Sequence, residues 1–228
     1  MKKLSLAFLS ALSLVSITSF AQSQTSQSQT VQSGGTTFGI RAGVNLQNIN
    51  GRDADDDKLE NGLVPRFHVG VNAEIPVAPE FYLQPGIMFS TKGTKYDDAL
   101  GDPKLNLSYI EVPINFLYKP ALGDGHLLVG FGPYFAYGIG GKLKTDGDDT
   151  DVKFKGKVKA GDDPNYVYYK PFDAGANILF GYEFSNKFSA QLNAQLGLVN
   201  INSDYDGFPD TDARAANTGF GISLGYRF

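Results

Sequence analysis

The chain has no cysteine and no tryptophan, and only two histidines and two methionines among 228 residues. Without cysteine there is no disulfide framework, no thiol nucleophile and no cysteine-ligated metal. An excess of positive charge is missing too. The 20 basic residues face 24 acidic ones, net −4, which argues against a nucleic-acid binder. Beyond residue 21 no apolar run approaches 18 residues, so no transmembrane helix is expected there. What is abundant is glycine (27), phenylalanine (17) and tyrosine (12), within a 42% hydrophobic composition that excludes wholesale disorder. That balance suits an all-β protein.

The first segment reads as an address. Met1-Lys2-Lys3 is a basic start, Leu4 to Phe20 is an uncharged run of apolar and small residues, and Ser19 and Ala21 fit the −3 and −1 positions of a cleavage site. Residues 1–21 are therefore expected to be a secretory signal peptide, with Gln22 as the new N-terminus. Losing Lys2 and Lys3 takes the net charge from −4 to −6. Residues 22–35 are rich in Gln, Ser and Thr and end in Gly34-Gly35, a flexible leader. Residues 36–228 form the remaining domain.

In that domain the hydrophobic period is two, which predicts strands at 38–46, 66–75, 81–90, 110–118, 127–139, 172–184, 188–198 and 219–228. In the first, Phe38, Ile40, Ala42, Val44 and Leu46 share a face, opposite Gly39, Arg41, Gly43 and Asn45. No apolar-face position carries a charge, while the other face holds Gly, amides and ions rather than the Lys and Glu of a watered surface. Aromatics gather at strand ends (Phe81, Tyr118, Tyr182, Phe184, Phe188, Tyr226, Phe228), as membrane-interface girdles require. Connections alternate short (77–80, 121–125, 185–187) and long (50–63, 93–106, 141–171, 201–217). Together these predict an all-β fold, an eight-stranded antiparallel transmembrane β-barrel with up-and-down meander topology. In lipid every backbone N–H and C=O must be paired, so a sheet spans only if its edges meet. Ten residues tilted by about 45° cover ~23 Å, close to the ~25 Å apolar band. Pro85, Pro113 and Pro133 lie inside these strands, and a bulge or a lost ladder bond is expected at each.

The segments YIEVPINFLYK (109–119) and GFGPYFAYGIG (130–140), with FGIRAGVNLQNI (38–49), FDAGANILFGYEF (172–184) and the terminal FGISLGYRF (220–228), resemble the PorT-like outer-membrane β-barrel family of Bacteroidota. The resemblance covers residues 36–228 and implies an integral outer-membrane barrel. It carries no shared biochemical activity.

The inward face gathers Arg41, Arg66 and Arg227 with Glu74, Glu111, Asp173 and Glu183. Inside a narrow barrel such ions must pair or be hydrated, so a lumen charge network is expected, either as a structural plug or as the constriction of a narrow channel. His68 should face inward and His126 should sit at the opposite end of the barrel; neither has a Ser or Asp partner in sequence, so no enzyme, cofactor or metal centre is expected. The outer loops are acidic: Asp53 and Asp55 to Asp57 in the first, Asp146, Asp148, Asp149 and Asp151 in the third, Asp204, Asp206, Asp210 and Asp212 in the fourth. The last run only loosely matches calcium-binding turns, and solvated charge is the simpler reading. Alternating Lys with Val and Phe (Lys142 to Lys159) suggests that the third-loop stem extends the hairpin above the membrane. Phe220, Tyr226 and Phe228 resemble the C-terminal signal that barrels present to the insertion machinery. The expected partners are outer-membrane lipid, that machinery and an extracellular partner for the loops, with the chain itself monomeric. The competing readings are a narrow channel for small solutes or ions and a soluble periplasmic barrel binding an apolar ligand.

Overall fold

The computed structural model describes residues 35–53, 55–96, 103–145, 147, 149–207 and 213–228; the expected signal peptide at 1–21 and nearly all of the expected leader at 22–35 lie outside them. Eight long strands follow in order: β1 (Thr37–Arg52), β2 (Val64–Ala78), β3 (Phe81–Tyr96), β4 (Lys104–Tyr118), β5 (Gly125–Lys144), β6 (Phe172–Glu183), β7 (Phe188–Gly197) and β8 (Arg214–Arg227). Each pairs antiparallel with the next. The sheet closes where β8 pairs with β1, from Gly39↔Arg227 to Arg52↔Arg214. The fold is an all-β, closed, eight-stranded antiparallel barrel with meander connectivity. It has no free edge among these strands, so the ladder requirement of a lipid environment is met by closure.

The alternation decides which side faces out. Phe38, Val44, Phe67, Val71, Ile87, Phe131, Ile178, Leu192, Ile222 and Leu224 are exposed on the outer wall. Asn45, His68, Glu74, Gln84, Glu111, Asn115, Asp173 and Ser223 are buried inside. Aromatic rings pair around the short-turn rim: Phe81–Tyr118 at 4.8 Å, Phe188–Tyr226 at 4.9 Å, Tyr182–Phe184 at 5.1 Å and Tyr226–Phe228 at 5.5 Å between centroids. An amphipathic ring suits that position because one end prefers hydrocarbon and the other water.

The prolines interrupt the ladder without shifting it. Between β2 and β3, pairing passes from Asn72↔Gly86 to Ile75↔Leu83, beside Pro85. Between β3 and β4 it passes from Pro85↔Ile114 to Met88↔Glu111, around Pro113. Between β4 and β5 it passes from Pro113↔Tyr134 to Phe116↔Phe131, around Pro133. Rows are lost and register is kept, which is the ladder loss expected of a residue without an N–H. The register shifts lie elsewhere, at Pro76/Ala78 and Ser108/Tyr109.

The strands at the long-loop end run further than the sequence pattern indicates. β5 has 20 residues, about 66 Å at ~3.3 Å per residue, far more than a tilted crossing needs. Its surplus pairs antiparallel with a short strand, Thr150–Phe154, which pairs in parallel with Val167–Tyr169. The stem of the third loop thus continues the hairpin past the apolar band. Asp204–Tyr205 of the fourth loop adds to Lys157–Val158 in a second small sheet.

Candidate functional site: the lumen and its outer cap

The lumen contains two separate groups of charge. Toward the long loops, Lys92 Nζ lies 3.0 Å from Glu111 Oε2 and 3.0 Å from Asp173 Oδ2, with Lys92 and Asp173 fully enclosed. Tyr134 donates its hydroxyl to Asp173 at 3.2 Å, Asn217 donates its amide to Asp173 at 2.9 Å, and Gln195 donates to Glu111 at 2.9 Å. The Lys92 ammonium also lies 4.0 Å from the Tyr134 ring centroid. Toward the short turns, Lys119 Nζ is 3.0 Å from Glu74 and 2.8 Å from Glu183, and Arg227 pairs with Glu74 while donating to Asn72 at 2.8 Å. The lower group matches two carboxylates with two cations, and the upper sets one ammonium between two carboxylates that also accept neutral hydrogen bonds, which offsets the large penalty for enclosing an ion.

Of the seven residues expected to share a lumen network, Glu74, Glu183 and Arg227 meet in the lower group, and Glu111 and Asp173 in the upper. Arg41 lies between the groups, donating to Gln191 at 3.4 Å and touching Met88 Sδ at 3.0 Å; its Nε has no protein acceptor. Arg66 reaches backbone oxygens instead, Leu105 at 2.7 Å and Lys92 at 3.3 Å. The sequence reading missed the two lysines that join the groups. Lys92 and Lys119 are placed on the inward face by strict alternation from Ser90 and Leu117. That signal was present, but the expected strands stop short of both positions.

Between the two groups is a cavity of about 40 Å³ lined by Arg41, Asn45, His68, Met88, Glu111 and Asn193 among others. At ~10–15 Å³ per water it has room for about three or four. Ser223 donates to Asn193 Oδ1 at 2.8 Å, and His68 Nε2 lies 2.9 Å from Ser223 Oγ. His126 begins β5 at the short-turn end, paired with Ala121 and Glu183.

Above the upper charge group the inward face becomes apolar. Ile49, Leu105, Leu107, Tyr109, Ala136 and Ala215 pack with Val152 and Tyr169 of the third loop and Ile201 of the fourth, and Tyr96 and Phe154 complete the cap. The Tyr96 and Tyr169 hydroxyls meet at 2.8 Å. Physics reverses the polarity along β4 without any change of pleat. Within lipid the outward face is apolar and the inward face holds Glu111 and Asn115. Above it the outward face meets water through Asn106 and Ser108, so Leu105 and Leu107 turn to the interior.

The loop carboxylates are used locally. Asp53 Oδ1 accepts from the amides of Asp55 (3.0 Å) and Asp57 (2.9 Å). Lys157–Asp206 (3.1 Å) and Lys170–Asp204 (2.8 Å) tie the third loop to the fourth, and Asp149 and Asp151 lie 3.9 and 3.7 Å from Lys142. Among the described residues no three acidic or histidine side chains converge as a metal site would require. Asp146, Asp148, Asp210 and Asp212 lie outside the described residues.

A closed barrel with an apolar outside and a charged, hydrogen-bonded inside defines a membrane β-barrel. The chain belongs to the outer membrane protein beta-barrel domain family, whose model matches residues 20–203, and that family places it in the outer membrane. Solved structures similar to it include OprG from Pseudomonas aeruginosa (12% identity, TM-score 0.46, covering 85% of this chain and 96% of that one). Ail, the attachment invasion locus protein of Yersinia pestis, is 11% identical, with TM-score 0.39 and coverage of 86% and 100%. A major outer membrane protein from Thermus thermophilus is 11% identical, with TM-score 0.41 and coverage of 85% and 99%. No curated protein matches the sequence.

Proposed function

We propose that this protein is a monomeric, sealed outer-membrane barrel of the PorT-like group of Bacteroidota, with a structural or surface-interaction role exercised through its long loops. The signal peptide at 1–21 would export it, the short turns would face the periplasm, and Phe220, Tyr226 and Phe228 would present it to the insertion machinery. The observation that carries the reading is the stacked closure of the lumen: two charge groups around Lys92 and Lys119, and above them the apolar cap. The joined third and fourth loops leave Tyr205 exposed on a paired platform suited to contact with a partner. No catalytic role is proposed. The lumen cavity of about 40 Å³, lined mainly by polar side chains, is small and poorly suited to an apolar ligand.

The competing channel reading is tested in planar bilayers. The purified barrel should give a flat baseline, because a path would require breaking both charge groups and parting the cap. Uniform conductance steps from the wild-type protein would overturn the sealed-barrel reading in favour of a channel.

A further inference from the structure

The upper charge group sets an amine nitrogen against a carboxyl group out of contact with bulk water. Lys92 on β3 and Asp173 on β6 are both fully enclosed, with Nζ 3.0 Å from Oδ2. β3 pairs with β2 and β4, and β6 with β5 and β7, so the two side chains meet only by crossing the lumen. The Tyr134 and Tyr109 ring centroids lie 4.0 and 5.4 Å from the Lys92 nitrogen, and Tyr109 packs with Leu105 and Leu107 in the cap. Glu111 Oε2 stands 3.0 Å from the same nitrogen and is otherwise without a hydrogen-bond partner among the described residues. Around Asp173, the Tyr134 hydroxyl lies 3.2 and 3.3 Å from the two carboxyl oxygens, and the Asn217 amide donates to Oδ2 at 2.9 Å. A nucleophile, an electrophile, a proton carrier and donors to the carboxyl oxygens thus share one enclosed site.

We propose that Lys92 and Asp173 condense into an intramolecular isopeptide bond, with Glu111 carrying the proton. One ammonium between two carboxylates encloses a net charge of −1. Passing a proton from Lys92 to Asp173 keeps that total and leaves a neutral amine beside a neutral carboxylic acid, the reactive pair. Nζ attacks Cγ and the C–N bond forms, while Tyr134 and Asn217 donate to the carboxyl oxygens as charge develops there. Glu111 takes a proton from the nitrogen and returns it to the hydroxyl oxygen, which leaves as water when the C–O bond breaks. The products are an amide, one water and the Glu111 carboxylate, so no outside reagent is consumed. In dilute solution hydrolysis would win. Here fixed contact replaces a chance encounter, two enclosed charges disappear, and the cavity of about 40 Å³ bordering Glu111 receives the water. The lower group lacks these conditions. Lys119 also sits between two carboxylates, but Arg227 adds a second cation and the Glu183 side chain is 12% exposed.

The test refolds the full barrel from urea into detergent micelles and weighs the intact chain by mass spectrometry before and after. Wild type should become one water lighter on folding, and a protease digest should contain a joined peptide holding both Lys92 and Asp173. Lys92→Arg keeps the cation but loses the amine, and Glu111→Gln keeps the shape but loses the proton carrier. Each should retain its full mass and yield no joined peptide. The mobility shift on boiling reports for each variant that the barrel has closed, separately from the bond. A closed wild-type barrel at full mass would overturn the proposal, as would a lost water that persists in Lys92→Arg or Glu111→Gln.

Discussion

Lys92 shows how much one residue can carry inside a narrow barrel. Its stem crosses the lumen from β3, and its ammonium joins Glu111 on β4 to Asp173 on β6. An enclosed pair is weak evidence of net stabilisation, but removing one partner strands the other's charge. Lys92→Met leaves two carboxylates without their shared cation and should destabilise the barrel by about 3–5 kcal/mol, read from urea unfolding in detergent micelles. Adding Glu111→Gln and Asp173→Asn should restore most of that loss. If the single variant unfolds at the wild-type urea concentration, the upper charge group is not structural.

Among the elements, what was legible in the sequence follows the lipid. Wherever hydrocarbon forces an apolar outward face, from Phe38 to Leu46 or Phe188 to Leu198, the period of two identifies strand and side together. The pattern fades where water replaces lipid. There Leu105 and Leu107 lie on the same face as Glu111, and β4 reads as loop until the third loop is seen packed onto it. Lys92 and Lys119 were missed for the same reason, since each lies just beyond the lipid-dictated run. The pairings themselves needed registers that no local pattern contains.

The third loop has its own pH dependence. Asp162 accepts from the Lys155 ammonium and from the Lys159 amide, at 2.7 Å, and these bonds hold its carboxyl below the ordinary aspartate range. A depressed folded value contributes stability that is present above the unfolded value and lost only as pH falls through the folded one. The Lys159 amide should therefore stay protected from hydrogen exchange as pH drops through the ordinary aspartate value of about 3.9. Opening at that value, or unchanged acid behaviour in Asp162→Asn, would contradict the contact. At the other end of the chain, the Phe228 amide donates to Phe38 O at 2.8 Å and its ring packs on Tyr226. Phe228→Ala should lower the amount assembled in the outer membrane while the refolded barrel keeps nearly wild-type stability. Equal membrane levels would remove the assembly role.

For the whole molecule, closure, the outward apolar wall and the filled lumen are one solution to a single constraint. Hydrocarbon outside demands a paired backbone and an apolar surface, so polar and charged groups gather inside, where they must satisfy one another. An eight-stranded circumference leaves just enough interior for that. Water above the band then reverses the inward face and supplies the cap. The most direct measurement is electrophoretic mobility of the fractionated protein, boiled against unboiled. A closed membrane barrel predicts that the protein is found in the outer-membrane fraction and shifts on boiling. Recovery in the soluble fraction with no shift would contradict the account, because the apolar face would then have to line the interior.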